Sequence, residues 1–123
     1  MFTASYLHQR GIRHACISPG ARNSPLTYAF TEKSEITCTS HVDERSAAFF
    51  ALGLAKTTQN PVVLISTSGT APANFYPAVI ESSLSRVPLI ILSADRPDFL
   101  VSTGANQTIN QKHTIGGLWY NGS

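Results

Sequence analysis

The chain has 123 residues, 42% of them hydrophobic, and nine Lys and Arg against seven Asp and Glu leave a formal net charge of +2. This length and composition suit one domain with a hydrophobic core, and the small, scattered charge argues against a nucleic-acid or membrane-surface partner. No apolar stretch is long enough to span a bilayer or to form a signal peptide, so we expect a cytoplasmic protein.

The first elements are short. Residues 1–10 predict a helix with one apolar face, and the compact run His14–Ile17 predicts a strand. A second helix is expected over residues 24–32, with Ser24 as its N-cap and Pro25 in its first turn, where the missing N–H costs nothing. The chain therefore opens as helix, strand, helix.

Three further strands and two longer helices come next. The strands are expected at residues 36–39, 62–65 and 87–92, and the helices at 44–57 and 73–85. Beyond residue 97 the periodicity disappears, which indicates loop with one short helix near Asn106. The two cysteines, Cys16 and Cys38, lie in predicted strands without metal-ligand spacing, so we expect reduced core residues.

Strands separated by helical segments of ten or more residues indicate βαβ units. We therefore predict an α/β fold, an open parallel sheet with helices on both faces. In such sheets ligands bind beyond the carboxyl ends of the strands. Four loops of distinctive composition are expected there, at residues 18–24, 40–45, 66–74 and 93–107.

The helix at residues 44–57 is made mainly of Ala, Gly, Phe and Leu, with a charged start. Because it has no clear polar stripe, we expect it to be buried on most sides, between the sheet and another subunit. Glu44 at its N-terminus is favoured as a carboxylate by the helix dipole, whereas burial favours protonation. The alternative is an ordinary first-turn carboxylate. His41 is interpreted as structural.

Two arginines lie in the first and fourth loops. Arg22 and Arg96 could each hold a carboxylate through parallel hydrogen bonds, which together would suit an anionic ligand. Separate salt bridges, for instance between Arg22 and Asp43, would explain them equally well. The first loop lacks the glycine spacing of dinucleotide or Walker A sites, and the Ser-Gly-Thr loop after residue 66 is weakly diagnostic.

Taken together, the loops carry a resemblance that no single loop carries. The segments are Ile-Ser-Pro-Gly-Ala-Arg-Asn-Ser-Pro at 17–25, His-Val-Asp-Glu-Arg at 41–45, Thr-Ser-Gly-Thr-Ala-Pro-Ala-Asn at 67–74, Ala-Asp-Arg-Pro at 94–97 and Gly-Ala-Asn-Gln at 104–107. This pattern resembles the N-terminal, pyrimidine-binding domain of thiamine-diphosphate enzymes. Within them it is similar to the menaquinone-pathway synthases that make 2-succinyl-5-enolpyruvyl-6-hydroxy-3-cyclohexene-1-carboxylate.

The resemblance implies a mechanism. Glu44 would hydrogen-bond N1′ of the aminopyrimidine and favour the imino tautomer, whose nitrogen removes the C2 proton of the thiazolium. 2-Oxoglutarate would then be decarboxylated, and the resulting carbanion would add to isochorismate. Small molecules, not nucleic acids or membranes, are the implied partners.

The resemblance also assigns the site. The positions that match substrate-binding residues are Arg22, Arg96, Asn106 and Gln107. Those that match cofactor-binding residues are Glu44, Pro19, Thr70 and Asn74. Ala21 stands where the family usually has serine, so one hydroxyl contact to substrate is missing.

The resemblance further implies an incomplete assembly. Residues 1–123 would form a single, truncated pyrimidine-binding domain that is inactive alone. The diphosphate and its Mg²⁺ or Mn²⁺ would bind a C-terminal domain marked by Gly-Asp-Gly, which this sequence lacks, and the cofactor would lie across the interface of a homodimer or tetramer. Two alternatives remain: another carboligase of the acetolactate-synthase type, or a non-catalytic α/β module that binds an anion or dimerises.

Overall fold

The computed structural model, which describes residues 2–112 and 114–115, alternates helices with four strands. The strands are β1 (His14–Ile17), β2 (Thr37–Ser40), β3 (Val62–Ser66) and β4 (Leu89–Ser93). The α-helices are α1 (Phe2–Gln9), α2 (Ser24–Thr31), α3 (Glu44–Thr58) and α4 (Tyr76–Ser85), with 3₁₀ helices at Pro72–Phe75 and Asp98–Leu100. Within the described part of the chain, no helix has the length and apolarity that a membrane crossing requires.

All four strands are parallel and form one sheet in the order β2-β1-β3-β4. The register pairs Cys16 with Thr39 on one side and with Leu64 on the other. Because the chain builds outward from β1 to β2 and from β3 to β4, the direction of winding reverses between β1 and β3. The predicted open parallel α/β fold is confirmed, and its switch point lies between these two central strands.

Helices cover both faces of the sheet because the central strands are apolar on both sides. Every residue of β3 is buried, and so are the last three residues of β1. Ile17 and Val63 point toward α1 and α2, where they pack around the fully buried Phe30. Cys16 and Leu64 point the other way, toward α3 and α4. This double burial explains the continuous apolar runs in the sequence.

Helix α3 approaches the sheet closely through small side chains. Its buried residues are Ala47, Ala48, Ala51, Leu52 and Ala55. On its other side Phe49 and Phe50 are 49% and 48% exposed. One face of α3 therefore lies against the sheet, and the expected burial of its other side by another subunit stays a prediction.

The N-terminus of α2 differs from the prediction. Asn23, not Ser24, occupies the N-cap position, and its side chain makes no capping bond. Its Nδ2 instead donates to the Ser18 carbonyl at 2.8 Å. Asn23 is completely buried, so its amide is used to fasten the loop after β1 to the start of α2.

The C-terminal part also differs from the prediction. No helix forms near Asn106, where the chain makes a turn with Gln107 at φ 52°, a left-handed conformation that interrupts a right-handed helix. The helical turn of this region lies earlier, at Asp98–Leu100. Likewise, α4 begins only at Tyr76, because the residues before it adopt the tighter 3₁₀ geometry.

Strand β4 is an edge of the sheet in the described part of the chain. Its first four residues, Leu-Ile-Ile-Leu, are half-buried, in contrast to the fully buried β3. Neither a charged residue nor a proline interrupts the strand. The edge therefore combines an apolar sequence with unpaired backbone groups on its outer side.

Both cysteines are free thiols, as predicted. Burial raises the pKa of the Cys16 thiol, against a smaller opposing effect of the hydrogen bond from Thr39. Burial likewise raises the pKa of Cys38. Both side chains therefore remain protonated, weakly nucleophilic members of the core.

Substituting Ala51 tests the close packing of α3. Ala51→Leu adds three carbon atoms to a site with no exposed surface, and we expect it to lower the free energy of unfolding by about 1 to 3 kcal/mol through overpacking. Urea unfolding would measure this. The matched control is Lys56→Leu on the exposed side of the same helix, and equal effects of the two substitutions would contradict the packing.

Candidate functional site

The carboxyl ends of the four strands lie at one edge of the sheet and bring the four loops together. Backbone bonds continue the sheet past the strand ends: His41 N–H donates to the Ile17 carbonyl at 2.9 Å, and Ala94 N–H donates to the Ser66 carbonyl at 3.0 Å. The first residues of these loops are therefore fixed by the sheet itself. The later residues of the same loops form the candidate site.

The first and fourth loops meet through their arginines. Arg96 Nη2 donates to the Asn106 carbonyl at 2.6 Å. Arg22 Nη1 lies 3.5 Å from Gln107 Oε1, at the outer limit of a hydrogen bond. The structure thus brings together all four residues that the resemblance assigned to substrate binding.

Arg22 and Arg96 have no carboxylate partner among the described residues. Desolvation of the guanidinium and, after it, the positive charge of Arg22 lower the pKa of Arg96. Among the described residues neither arginine forms an ion pair. Asp43, the alternative partner of Arg22, pairs with Arg45 at 2.9 Å, and Asp95 accepts from the backbone N–H of Arg96. Two neighbouring guanidinium groups without a carboxylate are suited to an anionic ligand.

Glu44 is the first residue of α3 and is half-buried. The helix end is capped by its neighbour, since Asp43 Oδ1 accepts from the Arg45 N–H at 2.9 Å. Within residues 2–112 and 114–115, no hydrogen bond or ion pair engages the Glu44 carboxylate. Asp43 therefore caps the N-terminus of α3. The Glu44 carboxylate is not needed for capping and is free to bind a ligand.

Among the described residues, three buried polar atoms without a partner lie in the loops after β1 and β3, next to the switch point of the sheet. They are Ser18 Oγ, Asn23 Oδ1 and Thr67 Oγ1. The two loops are also in close contact, because a Cβ atom on Gly20 would lie 2.5 Å from the Thr67 Cβ. Ser18 and Asn23 were not among the predicted site residues, whereas Thr67 belongs to the weakly diagnostic loop after residue 66. Gly20 in a short polar loop was the signal of close approach.

The remaining predicted cofactor residues lie at the same edge without joining the arginine cluster. Thr70 is exposed, and Asn74 Nδ2 donates to its carbonyl at 3.2 Å. Pro19 is exposed in the loop after β1. In the part of the chain that the structure describes, no hydrogen bond connects Pro19, Thr70 or Glu44 to the arginines.

Two residues that hold the turn at Asn106 and Gln107 were not found from the sequence. Ser68 Oγ donates to the Gln107 carbonyl at 2.8 Å. The Gln111 side chain contacts the backbone of Gly69 and Ala94. Nothing in the local spacing signals partners that lie so far away along the chain.

His41 has the surroundings of a structural residue, in agreement with its interpretation. Its ring lies 4.8 Å from the Phe50 ring, centroid to centroid. Its Nε2 is 3.0 Å from Thr39 Oγ1. The contact with Phe50 links the end of β2 to α3, and the contact with Thr39 orients the ring at the end of the strand.

A cavity of about 680 Å³ lies apart from the predicted site residues, between α4, β4 and residues 111, 112, 114 and 115. Val79, Leu89 and Ile91 give it a largely apolar wall. Among the described residues, no group of three or more His, Cys, Asp or Glu side chains is placed to hold a metal ion. The predicted site residues therefore lie at the carboxyl ends of the strands and not at this cavity.

Residues 2–114 match the protein family described as "Thiamine pyrophosphate enzyme, N-terminal TPP binding domain". Curated relatives named 2-succinyl-5-enolpyruvyl-6-hydroxy-3-cyclohexene-1-carboxylate synthase are similar over most of the chain. The relative from Lysinibacillus sphaericus is 57% identical over 110 residues, which is 89% of this chain and 19% of the relative. The relative from Haloarcula marismortui is 54% identical over 112 residues, with the same coverage. The chain spans about a fifth of the length of these relatives.

The Asp43–Arg45 pair predicts a specific pH dependence. Hydrogen bonds from Arg45 lower the pKa of Asp43 from 3.8 to about 2. Because the pKa is lower in the folded chain, the stabilisation is present above about pH 4 and is lost as the pH falls toward about 2. Asp43→Asn keeps an N-capping side chain, so we expect it to flatten this part of the curve of unfolding free energy against pH, measured by urea unfolding.

Arg45→Met tests the same pair from the other side, because it removes the guanidinium and leaves the Asp43 carboxylate. The free energy of unfolding is again measured against pH. A partial flattening is expected, because the backbone N–H of residue 45 still donates to the carboxylate and keeps part of the lowering of its pKa. A wild-type slope between about pH 4 and pH 2 in both variants would contradict the role of the pair.

Proposed function

The chain belongs to the thiamine pyrophosphate enzymes, as their N-terminal TPP binding domain, and from this we propose that it is the pyrimidine-binding part of a 2-succinyl-5-enolpyruvyl-6-hydroxy-3-cyclohexene-1-carboxylate synthase. The observation that carries the proposal is the pair of arginines, Arg22 and Arg96, without a carboxylate partner among the described residues, at the edge where Glu44 is also free. The names of the relatives support the same choice.

Thiamine pyrophosphate, also called thiamine diphosphate, supplies an electron sink when it is bound. The residues at the strand ends suit its aminopyrimidine, which has both hydrogen-bond donors and acceptors. Glu44 offers a free carboxylate for the ring nitrogen N1′. The buried and unpartnered oxygens of Ser18, Asn23 and Thr67 offer further polar contacts nearby. Pro19, Thr70 and Asn74 would line the same side.

Glu44 is proposed as the catalytic residue of this chain. Its carboxylate would hydrogen-bond N1′ and hold a proton there, which sets the tautomer of the ring. Two features support this role: Asp43 already caps the helix, and the Glu44 side chain is only half-buried. A carboxylate at a helix N-terminus is also stabilised in its ionised form by the helix dipole.

The arginine cluster is proposed to bind the substrates 2-oxoglutarate and isochorismate, which both carry carboxylates. Arg22 and Arg96 would supply charge-assisted hydrogen bonds, and Asn106 and Gln107 would supply further polar contacts beside them. Among the described residues, Arg96 Nε is buried without a hydrogen-bond partner, and a cationic group shielded from water attracts an anion more strongly. An anionic substrate would in turn relieve the repulsion between the two arginines.

A second copy of the chain is proposed to cover the outer surface of α3 and α4. Tyr76, Ile80 and Leu84 follow one another at four-residue spacing on α4 and are 42%, 37% and 77% exposed. Phe49 and Phe50 are exposed on the neighbouring α3. Exposed apolar side chains on two neighbouring helices are typical of a protein interface. We propose a homo-oligomer, a dimer or tetramer, in which this interface lies close to Glu44.

The rest of the proposed enzyme lies outside the 123 residues. A C-terminal domain would bind the diphosphate together with Mg²⁺ or Mn²⁺, and the complete protein would be cytoplasmic. The share of the relatives that this chain covers, 19%, supports a further domain. On this proposal residues 1–123 form one incomplete pyrimidine-binding domain that does not turn over by itself.

The reaction is tested by assaying the complete enzyme with 2-oxoglutarate plus isochorismate and, in parallel, with pyruvate alone. Carbon dioxide release and formation of the succinyl adduct only with the first pair would support the proposal. Turnover of pyruvate alone would instead indicate a carboligase of the acetolactate-synthase type. Absence of turnover with bound cofactor would favour a non-catalytic binding module.

Glu44→Gln in the complete enzyme should slow hydrogen exchange at C2 of bound thiamine diphosphate by about 10²- to 10⁴-fold, because a neutral amide is a poor proton acceptor. Thermal unfolding should stay close to wild type. Glu32→Gln on the opposite helix layer is the control. Exchange at the wild-type rate in the Glu44 variant would exclude the proposed role.

Arg22→Ala or Arg96→Ala should lower kcat/KM for the anionic substrates about tenfold or more, because each removes a charge-assisted hydrogen bond. The lysine variants keep the charge without the bidentate geometry and should fall in between. Arg10→Ala, directly after α1 on the surface, is the control. Unchanged steady-state kinetics with both substrates would rule out the arginine site.

A further inference from the structure

The side-chain amide of Gln111 joins two loops of the candidate site. Its Oε1 accepts from the Gly69 N–H at 2.7 Å, and its Nε2 donates to the Ala94 carbonyl at 3.0 Å. Gly69 belongs to the loop after β3, and Ala94 directly follows β4. Since the Ala94 N–H is already bound to Ser66, the amide adds one side-chain link beyond the last backbone link between these strands.

The segment before Gln111 is fastened to the same loops at two further points. Ser68 Oγ donates to the Gln107 carbonyl, and Arg96 donates to the Asn106 carbonyl. The backbones also touch, because a Cβ atom on Gly69 would lie 2.9 Å from Gln107 Cα. Asn106 and Gln107 therefore lie beside the arginine pair in a turn. Hydrogen bonds to the backbone carbonyls of the turn and the side chain of Gln111 hold it in place.

Apolar packing contributes little to the position of this turn. Between residues 100 and 112 no residue is fully buried, and Asn106 and Gln107 are exposed. Gln107 also adopts φ 52°, which is unfavourable for a residue with a side chain. A segment with an uncommon conformation and without a core depends on its polar contacts to stay in place.

We propose that Gln111 is a positioning residue for the substrate site: its amide clamps the loops after β3 and β4 together and so fixes Asn106 and Gln107 beside Arg22 and Arg96. The role in substrate binding rests on the proposed function, whereas the clamp itself does not. Gln111 hydrogen-bonds to neither arginine and acts only through the turn. It therefore affects how well substrate binds and leaves the Glu44 side of the site unchanged.

The clamp requires a donor and an acceptor on one side chain of this length. Methionine has a similar length and can provide neither bond. An ionised glutamate can accept from Gly69 but cannot donate to the Ala94 carbonyl, which it would repel. Asparagine is one carbon shorter and cannot bridge both loops without moving them. These differences make Gln111→Met and Gln111→Glu informative variants, with Gln9→Met on exposed α1 as the matched control.

The kinetic test uses the complete enzyme. Gln111→Met should raise KM for at least one anionic substrate about tenfold. A change of this size corresponds to the net free energy of roughly one hydrogen bond. Hydrogen exchange at C2 of the bound cofactor should stay within about twofold of wild type, because Glu44 is untouched. Gln111→Glu should raise KM at least as much, because its carboxylate repels the Ala94 carbonyl. An unchanged KM in the methionine variant, or a parallel loss of C2 exchange, would overturn the positioning role.

The structural test uses the 123-residue chain and needs no catalysis. Amide ¹⁵N relaxation in Gln111→Met should show order parameters at Asn106 and Gln107 falling to below about 0.6, the range of flexible backbone. Gln9→Met should leave them unchanged. If wild-type enzyme fails to turn over the proposed substrates, the proposed function fails while this measurement still decides the clamp. Rigid Asn106 and Gln107 in the methionine variant would overturn it.

Discussion

Strands β1 and β3 lie side by side in the middle of the sheet, buried on both faces, and every candidate residue depends on their parallel pairing for its place. Their residues alternate between two helix layers, so a shift of one residue would move Cys16 and Leu64 to the wrong layer. The fixed register also fixes where the strands end. Arg22 and Ser68 follow those ends within a few residues, which leaves little freedom in how their loops meet.

The site is defined as much by which charges are already paired as by which residues are present. Asp43 and Arg45 neutralise each other at the start of α3. That local pair engages Asp43, which the sequence had offered as a partner of Arg22, and Asp43 also caps the helix in place of Glu44. The positive charge left at the first and fourth loops is therefore separate from the negative charge left at Glu44. The arginines can bind an anionic molecule, while Glu44 supplies a carboxylate that can accept a proton.

The sequence is informative where one physical term dominates and uninformative where several compete. The apolar run at Val62–Ser66 suits only a strand buried on both faces, and Ala47 with its neighbours suits only close packing. The N-cap of α2 is hard to predict because Ser24 and Asn23 are both good capping residues and the choice depends on a tertiary bond to Ser18. The helix expected near Asn106 is absent because the left-handed conformation of Gln107 depends on contacts with the loop after β3.

The family resemblance singled out particular polar residues as candidate site residues, which secondary-structure propensity cannot do. It groups Arg22, Arg96, Asn106 and Gln107 by motif. The structure brings these four residues together, and their role in substrate binding stays a prediction. No motif marks Gln111, because its partners lie 42 and 17 residues away along the chain, and only the folded sheet brings them within reach. Long-range polar contacts of this kind leave no periodic trace in a sequence.

The open edge of the sheet has a practical consequence. Strand β4 carries four consecutive large aliphatic residues and no charge or proline, which is the composition that favours pairing between the edges of separate molecules. Nothing in the strand itself opposes such growth. In the part of the chain that the structure describes, this edge is therefore a site where strands of separate molecules can pair, and Ser93→Lys, at an exposed position, would be the least disruptive way to restrain such pairing.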